Sequence, residues 1–216
     1  MHIPEIFAEE NMDSILDFIA SNPLTTLVAQ TSNGIEACHI PLFWYNESSD
    51  SDKERGCLYG HFARKNPIYQ HALPTTSWLI IFQESGHYIS PNWYPTKAKT
   101  HKEVPTWNYQ SVHIQSQIEL IEEPDKLKWL LSTMTERQET ISDRPWSLDE
   151  APVAYIEAMC RGIIGFKLTI DSIQAQFKLS QNKPAENITG VIDGLKKLNT
   201  DQAISMAIQV ANHNKP

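Results

Sequence analysis

The sequence predicts a mainly β protein with α-helices, the α+β class, and three observations support this fold class. β-Branched and aromatic residues dominate several short segments that are separated by turn residues. One segment, residues 104–121, is longer than a flat sheet strand and suits a bent barrel strand. Apolar residues at helical spacing are confined to a few segments between and after the strands.

The composition is that of an ordinary globular protein. The chain has 216 residues, of which 41% are hydrophobic and 20% are charged. This balance excludes collagen-like, low-complexity and wholly disordered proteins. The sequence contains no internal repeat and no linker long enough to divide it, so we predict a single domain over residues 1–216.

The clearest local prediction is a β-hairpin near the N-terminus. Residues 32–34, Ser-Asn-Gly, supply the left-handed positions of a tight turn, and both flanks are rich in β-branched and aromatic residues. We therefore pair residues 24–31 with residues 35–45. A short helix precedes the hairpin, because Asn11 can cap it and Asn22, which stands before a proline, ends it.

The remaining β segments are bounded by turn residues. Ser85-Gly86 indicates a second hairpin, and the polar, acidic residues 46–56 indicate a solvated loop. We expect the longest strand to break near residues 108–111. The further predicted strands are residues 57–63, 78–84, 87–94, 104–121 and 163–180.

Two segments, at about residues 124–161 and 185–213, are predicted to be helical. The first begins at Pro124, carries acidic residues at its start and ends before Gly162. The second forms a C-terminal helical hairpin whose last helix begins after Thr200. The residues that set the i, i+3, i+4, i+7 spacing of the first segment are Leu127, Leu130, Leu131 and Met134.

The charge balance argues against direct binding to DNA. The chain has 18 Lys and Arg against 26 Asp and Glu, which gives a formal net charge of -8. A protein that grips DNA by itself normally neutralises several phosphates with clustered Lys and Arg. The pairs Arg64-Lys65 and Lys196-Lys197 are too few for this role.

The cysteines and the N-terminus predict a cytoplasmic protein. Cys38, Cys57 and Cys160 are odd in number and form no C-x-x-C motif, which favours free thiols in a reducing compartment. The first residues contain no cationic region followed by an apolar stretch, and no apolar run is long enough to span a bilayer. We therefore expect no membrane association.

Several common catalytic and cofactor motifs are absent. The sequence contains no G-x-G-x-x-G, no Walker A motif and no G-x-S-x-G nucleophile elbow. None of the eight histidines has the spacing that places two imidazoles on one metal ion, so we predict no metal site.

Aromatic and polar residues cluster in three segments, residues 89–95, 104–109 and 178–182. Such segments can border a planar ligand, because the rings stack and the Ser, Asn and Gln groups bind its polar edge. The alternative is that these aromatic residues fill one end of a barrel. Arg64-Lys65 stands just before a predicted helix start, where a phosphate could bind. Two exposed charges on a turn are the alternative there.

Six segments recur in a characteristic order along nearly the whole chain. They are His2-Ile3-Pro4, His39-Ile40-Pro41-Leu42, residues 60–67 (GHFARKNP), residues 90–95 (SPNWYP), residues 104–109 (VPTWNY) and residues 178–182 (KLSQN). In this order they resemble the PaiB-type family of FMN-binding negative transcriptional regulators.

The resemblance implies a fold, a cofactor and an assembly. The family is similar to the pyridoxamine 5'-phosphate oxidase-like proteins, which implies a six-stranded antiparallel FMN-binding split β-barrel with flanking helices. It also implies a homodimer that holds FMN at the subunit interface. The chain departs from the family pattern at His101 and Ser116, where many members have glycine, and at Gln176-Phe177, where many have Lys-Trp.

The resemblance also implies the cofactor-binding residues. Arg64, Lys65 and Asn66 would lie near the FMN phosphate, and residues 39–42 would run beside the ring. The cofactor-binding residues implied in this way are His39, Pro41, Leu42, His61, Arg64, Lys65, Asn66, Ser90, Trp93, Tyr94, Trp107, Asn108, Lys178, Ser180 and Gln181.

Three functions remain open from the sequence. The first is a flavin-binding negative transcriptional regulator or redox-linked regulatory protein that acts through a protein partner. The second is an FMN-dependent reductase or oxidase, in which the flavin itself carries the hydride chemistry. The third is a haem-binding barrel with His61, His87 or His113 as the axial ligand.

Overall fold

The computed structural model describes residues 1–46, 56–74 and 76–215. Residues 47–55 of the predicted solvated loop lie outside the described residues. The chain forms two compact units. The terminal unit consists of Met1–Asn11, Gln83–Val112 and Gln174–Pro216, and the sheet unit consists of Met12–Phe82 and His113–Ile173. The prediction of a single domain stays a prediction.

The described residues contain eight strands and seven α-helices. The strands are β1 (Leu24–Thr31), β2 (Gly34–Pro41), β3 (Phe43–Tyr45), β4 (Cys57–Ala63), β5 (Trp78–Gln83), β6 (His87–Ile89), β7 (Thr106–Ile121) and β8 (Ile163–Lys178). The helices are α1 (Met12–Ser21), α2 (Ile68–His71), α3 (Lys97–Thr100), α4 (Pro124–Glu139), α5 (Val153–Cys160), α6 (Ala185–Leu198) and α7 (Asp201–His213).

The strands form a mainly antiparallel sheet, most of whose residues belong to the sheet unit. Its strands follow the order β2-β1-β5-β7-β8-β4-β3, and within the described residues this path does not close on itself. This arrangement confirms the predicted α+β split-barrel fold class. Six strands have at least six residues, and the short strands β3 and β6 raise the total above the predicted six.

The predicted strand over residues 35–45 is divided in two. β2 ends at Pro41 and β3 begins at Phe43. Pro41 has no N–H to donate to a ladder, and the N–H of Leu42 donates to the carbonyl of Pro23 at 2.8 Å instead. The hairpin itself is confirmed: Thr31 pairs with Gly34, whose φ of 113° is in the region that favours glycine.

Two other strand predictions need correction. The expected break near residues 108–111 is absent, because β7 is continuous over Thr106–Ile121 and is buried on both faces at residues 110–112. The predicted strand over residues 87–94 ends at Ile89. Pro91 begins a 3-10 helix there, and the N–H of Asn92 donates to the Ser90 Oγ at 3.2 Å.

Both predicted helical segments are confirmed. Helices α4 and α5 lie within residues 124–161, and α6 and α7 lie within residues 185–213. In the sheet unit, Leu127 and Leu130 of α4 pack on the buried side chains of Phe43 and Tyr59, whose rings stack at 5.6 Å. No helix in the described part of the chain is long and apolar enough to cross a bilayer.

Candidate functional site

The residues implied by the family resemblance divide between the two units. His39, Pro41, Leu42, His61, Arg64, Lys65 and Asn66 belong to the sheet unit. Ser90, Trp93, Tyr94, Trp107, Asn108, Lys178, Ser180 and Gln181 belong to the terminal unit.

In the sheet unit, an open pocket of about 460 Å³ lies beside the ends of β2 and β4. Pro41 and His61 line it from the strands, and Leu131, Met134 and Trp146 line it from α4 and the segment that follows. Its volume and its largely apolar lining are typical of pockets that bind a small aromatic ligand. The sequence predicted only the two strand residues of this lining.

His61 is the polar group of this pocket that is not satisfied within the protein. Its Nδ1 atom is buried, and no hydrogen-bond partner for it is present among the described residues. Burial lowers the pKa of the His61 imidazole, so the ring is neutral near pH 7. A buried nitrogen without a partner costs stability unless a ligand or water satisfies it.

His39 on β2 and Leu42, which follows this strand, have different environments. His39 is exposed, and its Nδ1 lies 3.1 Å from the Thr26 Oγ1. Leu42 is buried and packs so closely on Gly60 that a Cβ there would meet its Cδ2 at 2.5 Å. Leu42 therefore supports the pocket from within the core, whereas Pro41 reaches the pocket itself.

Arg64 follows the last residue of β4 and carries the positive charge closest in sequence to His61. Its Nη1 lies 3.3 Å from the Glu122 Oε2, and both side chains are substantially exposed. Arg64 lines a second hollow of about 300 Å³ together with Lys128 and Arg161. Three cations thus border one hollow, although Glu122 and Glu157 also line it.

Asn66 shapes the turn that presents Arg64 and Lys65. Its N–H donates to the carbonyl of Ala63 at 2.8 Å, and its Oδ1 accepts from the N–H of Ile68 at 3.1 Å. Because this helix amide is already bonded, the cationic side chains are the groups left to bind a phosphate. Lys65 is exposed beside them.

In the terminal unit, Asn108 and Ser180 form a buried polar pair. The Asn108 Nδ2 donates to the Ser180 Oγ at 2.8 Å. The Asn108 Oδ1 is buried and has no partner among the described residues. Ser180 has a left-handed backbone with φ of 67°, which is uncommon for a residue other than glycine.

Lys178 lies two residues before Ser180. Its Nζ donates to the Thr106 Oγ1 at 2.5 Å and lies 5.8 Å from the centre of the Phe7 ring. Burial lowers the pKa of the Lys178 ammonium group. The terminal unit therefore holds a partly desolvated cation at the end of β8. Its partner Thr106 begins β7, the strand that carries Asn108.

Trp107 lies on the exposed side of β7, next in sequence to the buried Asn108. Its side chain is 53% exposed, and the neighbouring Tyr88 is 43% exposed. The two rings meet edge to face at 6.4 Å. A large exposed aromatic pair is a common feature of a ligand or protein contact surface.

The other implied residues of the terminal unit are engaged in internal contacts. The Trp93 indole lies against Gly194 of α6, where a Cβ would come within 2.3 Å of it. Tyr94 is buried, and its hydroxyl has no partner among the described residues. The Gln181 side chain bonds the backbone of its own turn, at Phe177 and Leu179. Ser90 caps the 3-10 helix.

Sequence reasoning missed the network that fixes this segment to α6. Asn187 is fully buried and bonds both Thr96 and Glu103. The Lys183 Nζ lies 2.6 Å from the Glu103 Oε2 and 4.6 Å from the centre of the Tyr94 ring. The partners are 80 residues or more apart in sequence, so no local spacing could have indicated them.

Comparison with known sequences identifies a family. A family model described as "Putative FMN-binding domain" matches residues 1–172. The chain is 33% identical to "Protease synthase and sporulation protein PAI 2" of Bacillus subtilis over 96% of this chain and 95% of that protein. It is 30% identical to the protein AN0679 of Emericella nidulans over 93% of this chain and 92% of that one.

Comparison with solved structures identifies the fold. The conserved hypothetical protein Rv2991 of Mycobacterium tuberculosis superposes with a TM-score of 0.59 and 12% identity, over 85% of this chain and 94% of that chain. An FAD and haem binding protein of Mycobacterium smegmatis superposes with a TM-score of 0.54 and 14% identity, over 84% and 78% of the chains. At these identities the likeness concerns the fold alone.

The residues present fit the FMN that the family implies. The pocket at His61 is largely apolar, and the buried Nδ1 of this residue has no partner in the part of the chain that the structure describes. Arg64 and Lys65 follow on the same strand end and suit a phosphate. From its sequence match and its split-barrel fold, the chain belongs to the PaiB-type family of FMN-binding domains.

Proposed function

We propose that the chain is a homodimeric FMN-binding protein that acts in redox-linked regulation, including negative control of transcription through a protein partner. The observation that carries this proposal is that His61, whose buried Nδ1 has no partner among the described residues, lines a largely apolar pocket three residues before Arg64. An aromatic ring with polar edges and a phosphate tail matches this order of apolar, hydrogen-bonding and cationic groups.

Each part of the cofactor has its proposed partners in the sheet unit. Pro41 and His61 would contact the isoalloxazine ring, and Arg64 and Lys65 would bind the phosphate. Bound flavin supplies hydride and electron transfer. The apolar side chains of Leu131 and Met134 keep water from the pocket wall, and the neutral His61 imidazole offers one hydrogen bond.

Asn108, Lys178 and Ser180 of the terminal unit are proposed as further flavin-contacting residues. The Asn108 Oδ1 lacks a partner and can accept a hydrogen bond from a ring N–H. Lys178 is a partly buried cation, which favours negative charge on a ligand. Trp93, Tyr94, Ser90 and Gln181 shape this segment through their internal contacts.

Dimer formation is proposed from the exposed aromatic surface of the terminal unit. Trp107 and Tyr88 together present two large rings to solvent. A second copy that covers them in a two-fold interface would remove this apolar area from water. The net charge of -8 supports regulation through a protein partner, because an acidic chain has no general attraction for DNA.

The absorption spectrum of the freshly purified protein tests the cofactor directly. We expect flavin bands that are restored by adding FMN to stripped protein. A Soret band without flavin bands would instead support the haem-binding alternative and overturn the proposal. Rapid, repeated oxidation of a nicotinamide cofactor by the FMN-loaded protein would replace the regulatory role with that of a reductase.

A further inference from the structure

The terminal unit contains the highest local density of lysine in the sequence. Lys97, Lys99 and Lys102 fall within six residues, together with His101, in a chain with a net charge of -8. The flavin proposal above uses none of these residues. They belong to α3 and to the residues that follow it.

Lys97 and the nearby His101 face a hollow beside α3. They line it with Asn92 and Trp93. We call this group of four residues the α3 hollow. No carboxylate is among the described residues that line it.

The polar groups that face the α3 hollow are hydrogen-bond donors. The Lys97 Nζ donates to the Asn92 Oδ1 at 2.5 Å, so the only amide oxygen of the group is already occupied. The Asn92 Nδ2 then retains its two donor hydrogens, and the Lys97 ammonium retains two more. A cavity lined by donors and cations selects an anion.

His101 is held in an unusual backbone conformation. Its φ is 56°, in the left-handed region, and its N–H donates to the carbonyl of Lys97 at 3.0 Å. A left-handed backbone is uncommon for residues other than glycine, and here it ends α3 as the C-cap of the helix. The conformation keeps the imidazole one turn from Lys97, where both can reach one ligand.

The neighbouring charges leave the hollow positive. Lys99 pairs with Glu186 at 3.4 Å, on the exposed side of α3. Glu103 pairs with Lys183 at 2.6 Å, and this bond lowers the pKa of the Glu103 carboxyl. The nearest carboxylates are therefore compensated by other lysines rather than by Lys97.

We propose that the α3 hollow binds the phosphate group of a small phosphomonoester. Lys97, the Asn92 amide and His101 would bind the phosphate oxygens, and Trp93 would form the apolar wall. The hollow lies within the terminal unit, whereas Arg64 and Lys65 lie in the sheet unit. The inference does not rest on the proposed flavin site.

Isothermal titration of the FMN-saturated protein with inorganic phosphate, AMP and adenosine tests this proposal. We expect saturable binding of phosphate and AMP at millimolar concentration or below, and no binding of adenosine. Lys97→Gln should weaken both affinities by about tenfold, which is the effect of one charge-assisted hydrogen bond. Lys102→Gln is the matched control, because Lys102 is exposed and does not line the hollow.

His101→Gly provides a variant that should fold at least as well as the natural chain. Glycine relieves the left-handed strain and removes the imidazole, so we expect weaker phosphate binding with an unchanged or higher melting temperature. An equal loss of phosphate affinity in Lys97→Gln and Lys102→Gln would indicate a nonspecific attraction by the positive charge of the whole segment and overturn the proposal. Phosphate binding by flavin-free protein that FMN abolishes would assign the hollow to the FMN phosphate, with the same consequence.

Discussion

Asn108 on β7 donates a hydrogen bond to Ser180, which lies 72 residues later in the sequence, at 2.8 Å. Both side chains are buried, and the Asn108 Oδ1 has no partner among the described residues. The bond joins two of the segments that carry the family resemblance, VPTWNY and KLSQN.

We expect Ser180→Ala to lower the free energy of unfolding by about 1–3 kcal/mol, because it leaves the buried Asn108 Nδ2 without an acceptor. Urea unfolding of the flavin-free protein measures this change. Ser116→Ala is a matched control, since Ser116 is fully buried and its Oγ already has no partner in the described structure. Equal destabilisation by the two substitutions would show that the Asn108–Ser180 bond contributes nothing.

Glu84 and Gln209 predict a pH dependence of stability. The Gln209 Nε2 donates to the Glu84 Oε2 at 2.7 Å, and both Oε1 atoms are buried without partners in the described residues. Burial raises the pKa of the Glu84 carboxyl, against the opposing hydrogen bonds from Gln209 and Gln110. A protonated Glu84 can donate to the Gln209 Oε1 and satisfy both oxygens.

A carboxyl whose pKa is raised by folding stabilises the protein at low pH. This contribution is complete below the unfolded pKa of about 4.3 and is lost as the pH rises through the folded pKa. We expect Glu84→Gln to remove this loss, so that its stability advantage over the natural chain grows with pH. Denaturant unfolding across a pH series measures it, with the exposed Glu119→Gln as control. Parallel pH profiles for Glu84→Gln and the natural chain would refute the expectation.

Glu122 is expected to compete with FMN for Arg64. The two side chains lie 3.3 Å apart and are exposed, so their pairing is worth about 0.2–1 kcal/mol. Glu122→Gln should therefore tighten FMN binding by up to about fivefold in a fluorescence titration. Glu123→Gln, which removes a carboxylate that pairs with Lys126 instead, should leave the affinity unchanged. Weaker FMN binding in Glu122→Gln would contradict the competition.

Trp107 tests the proposed dimer. The mass of one chain is 24.6 kDa, and we expect light scattering of the FMN-loaded protein to give about twice this value. Trp107→Glu places a charge on the exposed aromatic surface and should shift the protein towards the monomer. Tyr155→Glu, at a similarly exposed ring on α5, should remain dimeric. A mass of one chain for the natural FMN-loaded protein would contradict the proposed dimer.

The elements that the sequence predicted are those whose signals are local. The first hairpin depends on residues 32–34, and α4 depends on an apolar stripe within a few turns, so both could be placed from spacing alone. The strand predicted over residues 87–94 ended early because Pro91 starts a 3-10 helix. Local alternation of aromatic residues does not reveal this ending.

The sequence indicates those candidate-site residues that lie close together in one segment. His61 lies on β4 and Arg64 follows its last residue, so a single segment of the sequence indicates both. The opposite wall of the pocket comes from α4, where Leu131 and Met134 have the same spacing as core residues. A helix stripe that faces a pocket and one that faces the core have the same sequence pattern.

Parallel titrations of flavin-free protein with FMN and with riboflavin test whether Arg64 holds the phosphate of bound FMN. Because a charge-assisted bond contributes about 1.5–3 kcal/mol, Arg64→Gln should weaken FMN by more than tenfold and leave riboflavin nearly unchanged. Arg144→Gln, which removes an exposed arginine on the connector after α4, should affect neither ligand. An equal loss of both ligands in Arg64→Gln would show that Arg64 supports the fold and does not bind the phosphate.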